Sequence, residues 1–336
     1  MGVSVKPKFN QQQFLSKKTL AFISLLFMTT ILFTPHISKA NGMWTGITTS
    51  TTVGTEVELT NTINAAPYNE ICVIHISKDI VLEKPLEIID GKRILLIGYD
   101  RDVCLIGANG MDTIIVKSGG QLAVAARLTV THVEGDVGRG VYVERDGRFD
   151  VIGAIISGNV ADRGGGVYNE GTFSFGGDAD RGGLIANNTA NLGGGVYNEG
   201  TFSIGRGGIH WNSAVNTETS VGMGGGVYNK GTFITSSNEH VRWSEIYSNV
   251  ATLGGGVYTE GVFEGVEYVQ IVGNTALSGE GNNVFNEAVV GGESSYLLPI
   301  AGAVAIAVVV GLFFCRLRWR GSLVVKGLGD SVGEVK

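Results

Sequence analysis

The best local candidate for chemistry is Asp178, Asp180 and Arg181, in the stretch GGDADRGG. Two carboxylates two residues apart can share a divalent cation, and a carboxylate pair can act as acid and base on a glycosidic bond. The group occurs once, in a glycine-flanked turn where Asp-x-Asp is common, so Asp178 and Asp180 are weak metal or catalytic candidates. A second acidic stretch, DGKRILLIGYDRD with Asp90, Lys92, Asp100 and Asp102, reads as surface loops. The five histidines share no spacing, and there is no Cys-x-x-Cys and no nucleophile motif. GGGVYN resembles a phosphate-cradling loop only superficially, because no helix follows it. The expectation is therefore no catalytic residue, no metal and no cofactor. One modification site is legible: Asn187-Asn188-Thr189 has the N-glycosylation pattern on Asn187.

The elements that position these residues are repeats. GGGVYNEGTF begins at 164 and again at 193, GGGVYNKGTF begins at 224 and GGGVYTEGVF at 254. Degenerate copies flank them, GRGVYVERDGRF at 138 and GNNVFNE at 281. Each period carries a second mark, Ile-x-x-Asn-x-Ala, around Asn159, Asn188, Asn212, Asn249 and Asn274. A period near 30 residues that holds three short apolar pieces and no helical stretch predicts an all-β parallel β-helix. A propeller blade would need four strands in a longer unit, and a leucine-rich repeat would need a leucine skeleton.

Stacking each strand on its counterpart about 4.8 Å away makes like stack on like. Val167, Val196, Val227 and Val257 are expected inward, and Phe173, Phe202, Phe233 and Phe263 fill the core from the next strand. Tyr168, Tyr197, Tyr228 and Tyr258 are expected outward, as ring columns that cover the sheet face and hold a ligand by stacking. The Ile-x-x-Asn asparagines are expected to form amide ladders at a turn and to tolerate left-handed backbone. The glycines allow positive φ at the corner. Glu170, Glu199, Lys230, Glu260 and Glu287 share one column, where Lys230 neighbours opposite charge.

Residues 70–290 form the predicted β-helix, with EICVIHI, KRILLIG and QLAVAARLTV as its early rungs. VGTEVELTNTINAAP has helical spacing and is expected to cap the open end, within a segment spanning 41–69. Lys17 and Lys18 precede an apolar run and HISKA, which predicts a signal peptide over 1–40. Residues 297–315 carry no charge over 19 residues, and Arg316, Arg318 and Arg320 follow. That predicts one transmembrane helix after a 291–296 linker, with a basic cytoplasmic tail over 316–336. Residues 41–295 carry 29 Asp and Glu against 15 Lys and Arg. So acidic a region argues against nucleic acid as a partner. Cys72 and Cys104 could pair in an oxidising compartment; two cysteines make no framework.

The alternation of GGGVYN with Ile-x-x-Asn, over about 130–290, resembles the GGA[ILV] and F-x-x-N repeats of chlamydial polymorphic membrane proteins. It is similar, too, to the adhesin-like β-helix proteins of archaea. The resemblance implies a right-handed, pectin-lyase-like solenoid. Here Ile replaces Phe in the second motif, and the apolar C-terminal run replaces an autotransporter barrel. The expected function is a non-catalytic, membrane-anchored cell-surface protein that binds surface glycans or proteins. The alternatives are a surface-tethered polysaccharide lyase or hydrolase, since the fold hosts such enzymes, and a purely structural envelope component.

Overall fold

The structure is a computed structural model and describes residues 44, 47–177, 182–218, 220–235 and 244–286. The chain winds into an all-β parallel solenoid of about eight turns. The turn that starts at the first full repeat shows the unit. Val167–Asn169 lies in one sheet, Thr172–Gly176 in a second and Gly183–Ala186 in a third. These are called the Tyr, Phe and Ile sheets below, after their recurrent residues. A short fourth strand, Thr189–Ala190, closes the turn; the three apolar pieces of the repeat do not predict it. Among the described residues, the Phe sheet has nine strands, the Tyr and Ile sheets eight each, and the fourth sheet four.

The register is in phase with the repeat. Val167, Tyr168 and Asn169 pair with Val196, Tyr197 and Asn198, and those pair with Val227, Tyr228 and Asn229. All four valines of the phrase are fully buried. Phe149, Phe173, Phe202 and Phe233 are buried too, and Phe263 is partly so. Successive phenylalanine rings stack at 5.2, 4.9, 4.6 and 4.6 Å between centroids. Burying each such side chain stabilises the fold by about 1.5–3 kcal/mol, and stacked rings add more.

The glycine triplet earns its repetition at two of its positions. The first glycine is left-handed in every copy, with φ between 62° and 68° at Gly164, Gly193, Gly224 and Gly254. The second lies against neighbouring backbone: a Cβ on Gly194 would sit 2.5 Å from the Ser213 carbonyl oxygen and 2.6 Å from that of Gly225. No side chain can move aside there.

Upstream rungs use aliphatic fillers, such as Ile74, Leu96 and Val124. The helix Glu56–Ala65 buries Leu59 and Ile63 in the same core. Thr55 caps it by accepting from the Glu58 amide, and Glu58 accepts from the Gly54 amide in return. Lys92, read from sequence as a loop residue, is buried; its ammonium donates to the Asn64 and Ala66 carbonyls near the helix C-terminus. The strand Ile47–Val53 precedes the helix and pairs with Ile71–Ile76; helical spacing in this segment gave no sign of it. Further out, Trp44 packs on the outer apolar face of the Phe sheet with Ile71, Val73 and Leu95. Its indole N–H donates to the buried Asp150 at 2.9 Å.

Cys72 is buried and free, so the Cys72–Cys104 pair is not formed. The segments 1–40, 291–296, 297–315 and 316–336 lie outside the described residues. Among the described residues, no helix is long and apolar enough to cross a membrane.

Candidate functional site

Two corners of each rung carry polar ladders, and they differ in what they show to solvent. At the Tyr-sheet corner the tyrosines leave the strand on the side away from the Phe core and stack in a column. Tyr197, Tyr228 and Tyr258 have centroids 5.0 Å apart in sequence, and Tyr258 stacks on Phe285 at 5.2 Å. Yet this column is not an open face. Leu192, Met223 and Leu253, paired with one another just before the second, third and fourth glycine triplets, pack on the rings and bury Tyr197, Tyr228 and Tyr258. The expectation of solvent-facing rings is corrected here: a second, smaller apolar core forms outside the sheet. Tyr168, near the start of the column, is only half-buried.

The phenols point to the acidic column. Tyr142 and Tyr168 donate to Glu170, at 3.0 and 3.1 Å, and Tyr197 donates to Glu199 at 3.0 Å. Tyr228 donates to Glu260, and Lys230 stands 4.0 Å from Glu260. Like carboxylates are thus separated by phenol donors as well as by the one lysine; Glu287 is outside the described residues. Desolvation first, then the bonded Glu170, pushes the Tyr142 phenol up to about 12. Tyr168, Tyr197 and Tyr228 are raised in the same direction, again chiefly by burial.

At the Ile-sheet corner the asparagine ladder forms as the repeat predicts. Asn159, Asn188, Asn212, Asn249 and Asn274 are buried, and each side-chain N–H donates to the next amide oxygen at 2.9–3.0 Å along the run. Asn274 donates to Asn283 at 3.2 Å, and the His132 ring meets Asn159 Oδ1 at 2.8 Å, which closes the two ends. Each ladder oxygen also accepts the backbone N–H of the asparagine before it, as Asn212 does from Asn188. Oriented in one direction in a dry interior, such bonds polarise one another. A parallel ladder at the Tyr-sheet corner joins Asn169, Asn198, Asn229 and Thr259.

The left-handed residue is not the ladder asparagine but the one before it. That column reads Gly158, Asn187, Trp211, Ser248 and Gly273, with φ of 70°, 54°, 55°, 55° and 66°. Glycine and asparagine suit this backbone; a tryptophan there is a genuine outlier. Trp211 is 54% exposed and Tyr247, on the next rung, is 41% exposed. Trp211 N donates to the Tyr247 carbonyl oxygen at 3.3 Å, so the two residues sit on adjacent rungs of one edge.

His210 braces them. Its ring meets Trp211 edge-on at 5.3 Å and Tyr247 edge-on at 6.0 Å. It folds back over Gly208, where a Cβ would fall 2.5 Å from Nε2, and Tyr247 lies across Gly273 in the same manner. Glycine at 208 and 273 therefore makes the room in which these rings lie. His210 Nε2 stands 3.6 Å from Glu245 Oε2 and has no hydrogen-bond partner among the described residues. Burial lowers the His210 pKa, against a smaller raising effect of Glu245, so the imidazole is neutral near pH 7. Glu245 and Gln270 occupy the neighbouring outward column, in register with Gly208.

Of the sequence candidates, Asn187 is exposed, one rung from Trp211 in the same turn column. Asp178, Asp180 and Arg181 lie outside the described residues. Asp90, Asp100 and Asp102 are exposed and form no metal-holding group. Among the described residues no three of His, Cys, Asp and Glu come together as a metal site. The sequence reading passed over Trp211, Tyr247 and Glu245. The signal was present in GIHWNSA: the residue before each ladder asparagine changes between copies, from Gly158 through Asn187, Trp211 and Ser248 to Gly273, while the asparagine does not.

Comparisons with known proteins return nothing: no family model, no curated protein and no solved structure matches this chain.

Proposed function

We propose that the chain is a membrane-anchored cell-surface solenoid that binds partners without catalysis, through the outer corner of its Ile sheet. One observation carries this reading. Trp211 keeps a bulky, exposed ring in a left-handed turn position that Gly158 and Gly273 fill elsewhere in the same column. Strain retained at an exposed aromatic is a mark of a binding role, because folding alone favours glycine there.

The remaining support is in the sequence. A leader over 1–40 and an uncharged run over 297–315, followed by Arg316, Arg318 and Arg320, fit display on the outer face of a membrane. The resemblance to adhesin-like and polymorphic membrane repeats fits adhesion. A right-handed coil fits the strong handedness preference of parallel β connections. The acidic ectodomain disfavours nucleic acid and leaves glycans or proteins as partners.

The test uses cells that display the full-length chain, with cells bearing an unrelated anchored protein as control. Adhesion to partner cells and immobilised glycans above the control is expected, and adhesion equal to the control refutes the reading. Release of new reducing ends or unsaturated sugars from polysaccharide would replace it with the lyase or hydrolase reading. Abundant display with no ligand would favour an envelope component.

A further inference from the structure

We propose that the Trp211–Tyr247 corner is a saccharide subsite that takes a neutral hexopyranose; this rests on the surface-binding reading above and names its ligand. A pyranose has an apolar C–H face and a rim of hydroxyls. The corner offers the matching parts. Exposed indole and phenol rings on adjacent rungs supply apolar π surface, and Tyr247 also carries a hydroxyl. Glu245 and the exposed Gln270 stand in the neighbouring outward column, where they accept from and donate to sugar hydroxyls. A few polar groups set beside aromatic surface is the usual make-up of a small-ligand site.

Rigidity supports the same ligand. The edge-on contacts of His210 hold both rings, and Gly208 and Gly273 let His210 and Tyr247 lie flat. A site built this way loses little side-chain entropy on binding. Its size argues against a protein partner: two rings on two rungs give far less than the ~800 Å² per side of a stable protein interface. Its charge selects among sugars. With His210 neutral, Glu245 supplies the local charge, and the acidic ectodomain adds to it, so uronates and other anionic sugars are repelled.

Trp211 and the ladder beneath it make separable demands. Trp211→Gly removes the ring and relieves the left-handed backbone, so the variant should melt at an equal or higher temperature than the parent. A purely structural tryptophan would behave in the opposite way.

The experiment uses the full-length chain in detergent, made in a host without N-glycosylation, because a glycan on Asn187 would enter the same corner. Neutral gluco-, manno- and galacto-hexaoses and anionic trigalacturonate are titrated by saturation-transfer NMR and tryptophan fluorescence. Binding of at least one neutral series is expected, with trigalacturonate about tenfold weaker or absent. Trp211→Gly should lose about tenfold or more in affinity without loss of melting temperature, and Trp211→Phe should keep part of the affinity. Glu245→Gln should narrow the discrimination against trigalacturonate. Failure of every neutral series to bind, or binding that Trp211→Gly leaves unchanged, overturns the subsite. If displayed cells still adhere in that case, the surface-binding reading stands and the sugar assignment falls. If they do not adhere, both fall.

Discussion

The two corners of each rung solve the same turn with different tolerances. The Tyr-sheet corner is closed on both sides: valines inside, a tyrosine column outside, and Leu192, Met223 and Leu253 over the tyrosines. Its copies are nearly identical because backbone lies against backbone, and a change in one rung is felt by the next. The Ile-sheet corner is closed only on the inside, by the asparagine ladder. Its outer residue faces solvent and is free to vary, from Gly158 to Trp211. Uniformity therefore marks packing in this molecule, and variation beside a uniform ladder marks the place where a ligand site can be built.

The largest effect should come from breaking the closed corner. Gly194→Ala places a methyl group 2.5 Å from the Ser213 carbonyl oxygen and 2.6 Å from that of Gly225, with only backbone to give way. A loss of about 3 kcal/mol or more is expected in a urea melt. Gly158→Ala at the open corner meets nothing closer than the Thr131 hydroxyl at 3.0 Å and pays only for its φ of 70°, so about 1 kcal/mol is expected. Equal losses would erase the distinction between the corners.

Next comes the ladder that both faces of the open corner depend on. Asn212→Ala leaves the Asn188 backbone N–H and one of its side-chain N–H groups without their acceptor, takes a donor from the Ile185 carbonyl, and leaves the Asn249 amide oxygen with only the backbone N–H of residue 212. About 3 kcal/mol of stability should be lost, read from the same melt. A loss under 1 kcal/mol would mean that the ladder is decoration on a fold held by the apolar core alone.

The closed corner should also show itself in alkali. The tyrosine pKa values are raised in the folded state, so the unfolded chain, whose phenols ionise near 10, binds fewer protons between the two values. Stability is fully present below pH 10 and is lost as pH rises from about 10 toward the folded value, about 12 for Tyr142. Phenolate absorbance from the column, read as the difference between the parent and a Tyr197→Phe, Tyr228→Phe variant, should rise together with the loss of β circular dichroism. Column phenolate appearing near pH 10 while the β signal stays native would show that the column is open to water.

Smaller effects refine the comparison. Ser248→Gly, at a φ of 55° on the open corner, should stabilise by up to about 1 kcal/mol in thermal melting. A loss of stability would mean that Ser248 is held by contacts rather than tolerated. Lys230→Glu makes the charged column uniformly acidic, but Lys230 and Glu260 are well exposed and 4.0 Å apart. The change should be within about 0.5 kcal/mol and should vanish in high salt.

Much of the fold was legible because stacking forces periodicity. Val, Phe and Asn recur at fixed offsets, and each of these columns lies where the offsets place it. The strand Ile47–Val53 was hidden by its composition, since a threonine-rich edge strand has no apolar alternation to betray it. The burial of the tyrosines was hidden for another reason. Leu192 and Met223 sit outside the obvious phrase, and only the coil brings them over the rings. The candidate site was the least legible part. Trp211 and Tyr247 are 36 positions apart in the sequence, and neither belongs to a repeated column of its own kind.

The sequence by itself determined the period, the parallel stacking and which residues fill the interior, because each rung must match the one below it and mismatches cost packing energy. The tertiary structure decided which outward residues remain exposed. Exposure depends on what the previous turn of the chain lays across a strand, and that is set by coil geometry: the tyrosine column is covered, and the Trp211–Tyr247 corner is left open.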